Sequence, residues 1–142
     1  GTEDGITGGI QHADPAECLR LTTETAIDAL AAALGSVHGP YSGEPVLGFD
    51  EMKELSELTH KPLVLHGGSG IPEHQIKKAI EFGHSKINVN TECQQVFTAA
   101  VREKLATDAN VYDPRKVIGP GKEAIIAVVK ERMQVFGSSN KA

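Results

Sequence analysis

The sequence has only two cysteines and fewer basic than acidic residues, and these scarcities argue against several classes of protein. Cys18 and Cys93 lie far apart and form no CxxC pair, so there is no disulfide framework, which favours a reducing compartment. The net charge of −5 argues against nucleic-acid binding, because such surfaces need basic stripes. No apolar run approaches about 18 residues and no signal peptide is recognisable. We therefore expect a cytoplasmic protein that does not bind membranes.

What is present is an ordinary globular composition. The 142 residues are 39% hydrophobic and 23% charged, which is enough apolar material for a folded core. The chain opens on "GTEDG" without an initiator methionine, so we expect a fragment or a processed chain.

Short apolar runs alternate with helical patterns along the chain. Asp14, Pro15 and Glu17 form a helix start with a capping residue, a proline at the first helical position and an acidic residue that completes a capping box. Thr91 and Gln94 form a second such box. The alternation predicts βαβ units and a parallel sheet. The predicted strands span 27–35, 62–66 and 86–90, although the alanines of the first would also suit a helix; the predicted helices span 15–23, 50–58, a segment opening at Ile71-Pro72, 91–105 and 120–136.

Only three strands are recognisable in this α/β pattern. A closed eight-stranded parallel barrel needs about 250 residues, so this chain cannot close one alone. The pattern is therefore typical either of a small open sheet or of part of a barrel.

Two histidines follow predicted strands where those strands end. His38 lies in the loop after the first strand, and His66 directly follows the second. Because ligands of α/β proteins bind at the carboxyl ends of the strands, we expect these imidazoles to converge. A catalytic zinc site usually takes three protein ligands, and the chain offers these two and no obvious third. A hydrogen-bonded structural role is the alternative. The remaining histidines are expected in loops or on helix surfaces, exposed to solvent: His12, His60, His74 and His84.

Glycines and asparagines stand beside these histidines. The segment Gly67–Gly70 lets the backbone approach an anion and aim N–H groups at it. Asn90 and Thr91 begin a helix, whose dipole would also favour an anion. The alternatives are that the glycines only form a turn and that Asn88 only caps a loop. The G-x-S-x-G elbow, the dinucleotide and P-loop glycine motifs and H-E-x-x-H are all missing from the sequence.

Four segments carry a resemblance to a known family: "ALGSVHGPY", "PLVLHGGSGIP", "KINVNTE" and "YDPRKVIGPGKEAI". In their order and spacing, over nearly the whole chain, they resemble the C-terminal half of the class II fructose-bisphosphate aldolases. The tagatose-bisphosphate aldolases are close relatives. The resemblance implies that residues 1–142 are the C-terminal portion of a single (β/α)₈ TIM-barrel domain. This portion would carry strands six to eight, and the N-terminal half would be absent from the chain.

The resemblance also implies roles for individual residues. His38 and His66 match two zinc-binding histidines, and a monovalent cation beside Zn²⁺ is a further candidate cofactor. Glu3 matches a mobile-loop glutamate that moves protons. Arg115 matches an arginine that holds the far phosphate in a neighbouring subunit's site. The positions that match those holding dihydroxyacetone phosphate are Gly39, Gly67, Gly68, Ser69, Asn88, Asn90 and Thr91.

Two departures from the family pattern accompany the resemblance. Ser42 stands where many relatives have a lysine, which removes a positive charge near the loop. The family's first zinc histidine, and the aspartate beside it, lie upstream of the segment that this chain matches.

The implied activity is zinc-dependent, reversible cleavage of fructose 1,6-bisphosphate to dihydroxyacetone phosphate and glyceraldehyde 3-phosphate. Zinc would act on the ketone as a Lewis acid while the glycine loop holds the phosphate. A tagatose- or other ketose-bisphosphate aldolase is one alternative, and a non-catalytic phosphate-binding half-barrel is another. The role of Arg115 further implies a homodimer or a higher homo-oligomer.

Overall fold

The computed structural model describes residues 12–39 and 41–141, which fall into two compact units, one ending at Val89 and the other beginning at Asn90. No helix within those two ranges is long and apolar enough to cross a membrane. The first unit contains helices α1 (Pro15–Glu24), α2 (Phe49–Thr59) and α3 (Glu73–Glu81) and strands β1 (Leu63–Leu65) and β2 (His84–Ile87); the second contains helices α4 (Thr91–Thr107) and α5 (Pro114–Val135).

The predicted parallel sheet is confirmed in β1 and β2. Leu63 lies opposite His84 and Leu65 opposite Ile87, with one irregularity in the register after Leu63. The sheet continues for a single residue beyond β1, where Leu30 forms a parallel bridge with Leu63. The amide of Leu30 donates to the Pro62 carbonyl at 3.0 Å, and the Leu30 carbonyl accepts from Val64 at 2.9 Å.

The prediction of a strand over 27–35 is wrong beyond Leu30. The carbonyl of Ala33 accepts from the amide of Ala13, and that of Leu34 accepts from Gly48, so loops take the hydrogen bonds that a strand ladder would need. Only Leu30 and Leu34 in this segment are buried apolar residues. The segment thus runs beside β1 without forming a full strand.

The third predicted strand, 86–90, begins and ends too late. β2 starts at His84, because the turn at Gly83 (φ +97°) brings the chain to β1, where the Gly83 carbonyl accepts from Leu63. Asn88 still donates to Leu65 at 2.9 Å, after which the chain leaves the sheet. The expectation of a solvated His84 is therefore wrong, since its side chain is packed inside the first unit at 3% exposure.

The core of the first unit lies between β1 and helices α2 and α3. Met52, Leu55, Leu63 and Ile76 are fully buried, and each such side chain stabilises the fold by about 1.5–3 kcal/mol relative to exposure. Ile76 and Ala79 are both buried on one face of α3, as its apolar spacing predicts.

Helix starts were predicted with mixed success. Asp14 caps α1 and accepts from the Glu17 amide at 3.0 Å, as predicted. Thr91 is not the cap of α4: Asn90 occupies that position, and its side chain makes no capping hydrogen bond. Asn90 lies outside the helical φ/ψ region, at φ −138°, and Thr91 is already helical, so the helix begins one residue earlier than a Thr91 cap implies.

The last helix begins at Pro114 and not near Pro120. Asp113 caps it by accepting from the Arg115 amide at 2.9 Å, and Pro114 takes the first turn, where its missing N–H costs nothing. Pro120 therefore lies inside α5. A Cβ on Gly121 would lie 2.4 Å from the Phe97 ring, so the "GPG" segment serves close packing of α5 on α4 and does not start a helix.

Candidate metal and phosphate site

His38 and His66 converge, as the sequence predicts. His66 directly follows β1, and His38 lies in the loop after the bridge at Leu30. His38 Nε2 lies 3.3 Å from His66 Nδ1, and the rings meet edge to face with centroids 5.4 Å apart. Both side chains are exposed, so the ring nitrogens are accessible.

The spacing of these nitrogens fits two ligands of one metal ion. Zinc–imidazole bonds are about 2.0–2.1 Å long, and two such ligands at a tetrahedral angle lie about 3.3 Å apart. That separation equals the distance between His38 Nε2 and His66 Nδ1. A ring-to-ring hydrogen bond accounts for the same distance if one imidazole donates. Within residues 12–39 and 41–141 there is no group of three or more histidine, cysteine or acidic side chains that could hold a metal, so the pair supplies two ligands of a larger set.

Asn88 is the third polar side chain of this cluster. Its Nδ2 lies 3.1 Å from His66 Nδ1, and its Oδ1 accepts a hydrogen bond from Lys86 Nζ. Because the lysine ammonium can only donate, it requires the amide oxygen on its own side and turns the NH₂ group toward His66. Sequence reasoning assigned no role to Lys86, although it opens the "KINVN" segment. The structure thus places the Lys86 ammonium in direct hydrogen-bond contact with Asn88, a predicted substrate-binding residue.

Close packing, as well as a possible ligand, explains why glycines occupy the "HGGSG" segment. A Cβ on Gly67 would lie 2.0 Å from the Val37 carbonyl oxygen, and one on Gly68 would lie 2.6 Å from Ile87 and 2.9 Å from the Asn88 oxygen. The Gly68 amide already donates to the Asn88 carbonyl at 2.9 Å. This N–H group is therefore already engaged and is not available to bind an anion.

Ser69 and Gly39 complete the predicted residues of the first unit. Ser69 is buried at 7% exposure in the turn after Gly68. Gly39 has φ +88°, and no atom of the described residues, apart from those of its chain neighbours, lies within 4 Å of where its Cβ would be. A glycine at position 39 is therefore explained by its positive φ, which other residues rarely adopt.

The second unit carries the other predicted residues. Asn90 precedes α4 and Thr91 is its first residue, followed along the helix by a shallow groove lined by Thr91, Gln94, Gln95, Thr98 and Arg102. Arg115 lies in the first turn of α5, although the sequence predicted no helix between 105 and 120. Its Nε and Nη2 donate to the two carboxylate oxygens of Asp113 at 3.0 and 2.9 Å, and these bonds hold the pKa of that carboxyl below its ordinary value. The Arg115 side chain remains 89% exposed.

The remaining predicted residues lie elsewhere. Glu3 falls outside the residues that the structure describes. His12 pairs with Glu51 at 2.9 Å, a bond that lowers the pKa of that carboxyl, and His60 is an exposed residue that ends α2 in the left-handed conformation. His74 lies on the exposed surface of α3 as predicted. His84 is buried and its Nδ1 lies 3.1 Å from the Ala79 carbonyl; burial lowers the pKa of this imidazole.

Comparison with known proteins reveals the family. Residues 1–141 match the family described as "Fructose-bisphosphate aldolase class-II". Over the whole chain, the sequence is 63% identical to a fructose-bisphosphate aldolase of Geobacillus stearothermophilus and 61% identical to a 6-phospho-5-dehydro-2-deoxy-D-gluconate aldolase of Halalkalibacterium halodurans. It covers 50% and 49% of those two proteins, so the chain spans about half the length of the curated relatives that it matches.

Solved structures agree with this result. The YdjI aldolase from Escherichia coli K12 superposes with a TM-score of 0.81 at 35% identity, over 94% of this chain and 49% of that one. The structure is thus an α/β fragment that corresponds to part of a TIM-barrel aldolase. Since the family match extends over almost every residue, this chain belongs to the class II fructose-bisphosphate aldolase family.

Proposed function

We propose that this chain is the C-terminal part of a cytoplasmic enzyme that reversibly cleaves fructose 1,6-bisphosphate to dihydroxyacetone phosphate and glyceraldehyde 3-phosphate. The segment around Leu30 would be barrel strand six, and β1 and β2 would be strands seven and eight of a single domain. One observation carries the proposal: in a chain of this family, His38 Nε2 and His66 Nδ1 lie 3.3 Å apart with both rings exposed.

His38 and His66 would hold a zinc ion through neutral imidazole nitrogens. When bound, zinc supplies a Lewis acid that polarises the substrate ketone. The remaining protein ligand would come from outside the described residues, since those contribute only this pair. The monovalent cation stays a prediction of the sequence resemblance.

The chain's own residues would hold the phosphate and the hydroxyl groups. The Gly67–Gly70 loop adjoins His66, so a phosphate held there would lie a few ångströms from the metal ligands. The Asn88 amide faces His66 Nδ1 at 3.1 Å, so it would donate to the substrate once that nitrogen binds a metal. Asn90 and Thr91, which the family resemblance makes phosphate-binding residues, stand at a helix start whose dipole would favour an anion.

The reaction also needs a proton to be moved. Cleavage breaks the bond between carbons 3 and 4; the hydroxyl proton of carbon 4 is lost and carbon 3 gains a proton. Glu3 would exchange the proton at carbon 3, and Arg115 would bind the far phosphate in the site of a partner subunit, which makes the active enzyme a homo-oligomer.

A second candidate substrate is 6-phospho-5-dehydro-2-deoxy-D-gluconate, because a relative of that name is 61% identical over the whole chain. Its ketone and phosphate match those of the fructose bisphosphate, and cleavage between its carbons 3 and 4 also releases dihydroxyacetone phosphate. The released aldehyde carries a carboxylate in place of the second phosphate. Arginine can bind either anion with two parallel hydrogen bonds, so Arg115 is compatible with both substrates.

The test is a direct comparison on the full-length protein that contains this chain. It should release dihydroxyacetone phosphate from fructose 1,6-bisphosphate with a higher kcat/KM than from tagatose 1,6-bisphosphate or the phosphogluconate. A chelator should abolish the activity and added Zn²⁺ should restore it. A preference for either other substrate would reassign the enzyme within the family.

The non-catalytic alternative has its own discriminating result. A natural polypeptide about twice this length that shows activity excludes it. A natural polypeptide of 142 residues that binds phosphate without cleaving any of the three substrates would replace our proposal with the half-barrel fragment.

A further inference from the structure

Tyr41 joins the two loops that carry His38 and His66. Its hydroxyl accepts from the amide of Val37 at 3.1 Å and donates to the carbonyl of Gly67 at 3.0 Å. Val37 immediately precedes His38, and Gly67 immediately follows His66. One phenolic oxygen is therefore bonded to the backbone neighbour of each histidine.

The two loops also touch directly at this point. A Cβ on Gly67 would lie 2.0 Å from the Val37 carbonyl oxygen, and Gly67 adopts φ +62°. The Tyr41 ring continues the contact, since a Cβ on Gly70 would lie 3.3 Å from its Cδ2. The ring therefore packs along the glycine loop while its hydroxyl bridges the two backbones.

A second bond fixes the segment after Tyr41. The side chain of Gln75 donates to Glu44 at 2.9 Å, which ties the loop after His38 to α3. Gln75 is buried whereas Glu44 is exposed, so the bond ties a surface loop to a buried side chain of α3. The His38 loop is thus fastened to the segment that follows His66 at two places, and only the Tyr41 bridge lies next to both histidines.

We propose that Tyr41 is a positioning residue for the histidine pair: its hydroxyl sets the distance between His38 Nε2 and His66 Nδ1. This inference rests on the proposed function, because it takes the pair to be metal ligands. The physical reason is that a hydroxyl which accepts from one loop and donates to the other fixes both partners in direction as well as distance. Half-burial raises the pKa of this phenol, so the hydroxyl stays protonated and keeps its donor at neutral pH.

The experiment replaces Tyr41 with phenylalanine in the full-length enzyme. Tyr41→Phe keeps the ring against Gly70 and removes both hydrogen bonds. The chain offers a matched control, since its only other tyrosine, Tyr112, is 93% exposed; Tyr112→Phe removes the same hydroxyl from the surface. Zinc affinity is measured by chelator competition, and the visible spectrum of the Co²⁺-substituted protein reports the geometry around the metal.

We expect Tyr41→Phe to bind zinc about tenfold more weakly and to shift the Co²⁺ bands, because residues that orient metal ligands usually change affinity by about 10–100-fold. We expect Tyr112→Phe to change neither. A loss of kcat at unchanged KM for the substrate should accompany the weaker binding when zinc is subsaturating.

A merely structural Tyr41 gives a different pattern. The unfolding temperatures of metal-free and zinc-loaded Tyr41→Phe would then fall by the same amount relative to the wild type. The zinc affinity and the Co²⁺ bands of the variant would equal those of the wild type. That result overturns the inference. The proposed function is tested separately by the wild-type enzyme: if it binds no zinc, the aldolase proposal fails first, whereas a zinc-dependent wild type with an unaltered Tyr41→Phe defeats only the positioning role.

Discussion

The amide of Gly68 donates to the carbonyl of Asn88 at 2.9 Å and joins the loop after β1 to the segment after β2. The bond continues the pairing of the strands by one step beyond the Asn88-to-Leu65 hydrogen bond. It brings the Asn88 side chain beside His66. A change at Gly68 should therefore disturb the histidine site through the backbone.

Gly68→Val should destabilise the full-length enzyme by about 1–3 kcal/mol, the usual cost of overpacking. The new side chain would collide with Ile87 and with the Asn88 oxygen, which a Cβ alone already approaches to 2.6 and 2.9 Å. Urea unfolding measures the loss. Gly43→Val is the matched control, because in the part of the chain that the structure describes no atom, apart from those of its chain neighbours, comes within 4 Å of a Cβ at Gly43. Equal stability of the two variants would contradict this packing argument.

Ser69→Ala should act on substrate affinity more than on stability. The change removes one hydroxyl, worth roughly 1 kcal/mol, which corresponds to about a fivefold rise in KM for the bisphosphate. Steady-state kinetics and urea unfolding, done on the same preparation, separate the two effects. If Ser69→Ala and Gly68→Val both have small effects on KM and stability, the loop is only a turn.

His66→Ala should abolish both bound zinc and activity in the full-length enzyme, because one of the two converging nitrogens disappears. His74→Ala is the control, since that side chain is exposed on α3, where it lies 3.6 Å from Glu44. Metal content by atomic spectroscopy and the cleavage assay give the two readouts. A fully active His66→Ala enzyme would exclude His66 as a ligand, whereas lost stability with zinc retained would indicate a structural histidine.

That His38 and His66 lie at the same edge of the sheet was predictable because the edge follows from strand direction. In a parallel sheet every strand presents its carboxyl end at the same edge, so residues that follow two strands come together without any knowledge of side-chain packing. The Asp14 cap was predictable for a similar reason, since its hydrogen bond closes within four residues.

Features that depend on distant partners were not predictable. The segment around Leu30 has the composition of a buried strand, yet its backbone bonds with Ala13 and Gly48 replace the ladder. The predicted last helix includes Gly121 but gives no reason for its glycine, because the partner that requires it, Phe97, is far away in sequence. Tyr41 was visible in "HGPY", but its role depends on the Gly67 carbonyl, which only the folded chain brings to it.

His84 should make stability fall as the pH is lowered below neutrality. Burial lowers the pKa of this imidazole in the folded chain, so the unfolded chain binds the proton more tightly. The contribution of neutral His84 to the free energy of unfolding is fully present above the unfolded pKa of about 6.5. It declines as the pH falls below that value toward the pKa of the folded chain.

The measurement compares thermal unfolding at neutral pH and at pH values below 6.5. His84→Asn keeps a side-chain amide near the Ala79 carbonyl but cannot titrate, so its unfolding temperature should depend less on pH than that of the wild type. His60→Asn is the control, because His60 is exposed and asparagine tolerates its left-handed conformation. An equal pH dependence in wild type and His84→Asn would show that another group controls the acid sensitivity.

Arg115→Ala should raise KM for the bisphosphate by about tenfold or more, because charge-assisted hydrogen bonds contribute about 1.5–3 kcal/mol. The guanidinium is bound on one edge by Asp113 and is 89% exposed, so Asp113 orients the fork while leaving it accessible. Proton exchange on dihydroxyacetone phosphate alone should persist, since that half of the substrate lacks the far phosphate. Arg20→Ala is the control, because Arg20 is an exposed arginine paired with Glu17 on α1.

Mixing inactive subunits tests whether Arg115 serves the site of a partner. Arg115→Ala and His66→Ala subunits, exchanged under mild denaturation, should regain activity, because some hybrid sites would combine an intact histidine pair with an intact arginine. The alternative is that Arg115 is a solvated charge that pairs with Asp113 of its own chain and touches no substrate. Under that alternative Arg115→Ala would keep the wild-type KM. A raised KM with no recovery in hybrids, whose formation is verified by mass spectrometry, would instead place Arg115 in the site of its own subunit, and the shared-site proposal would be wrong.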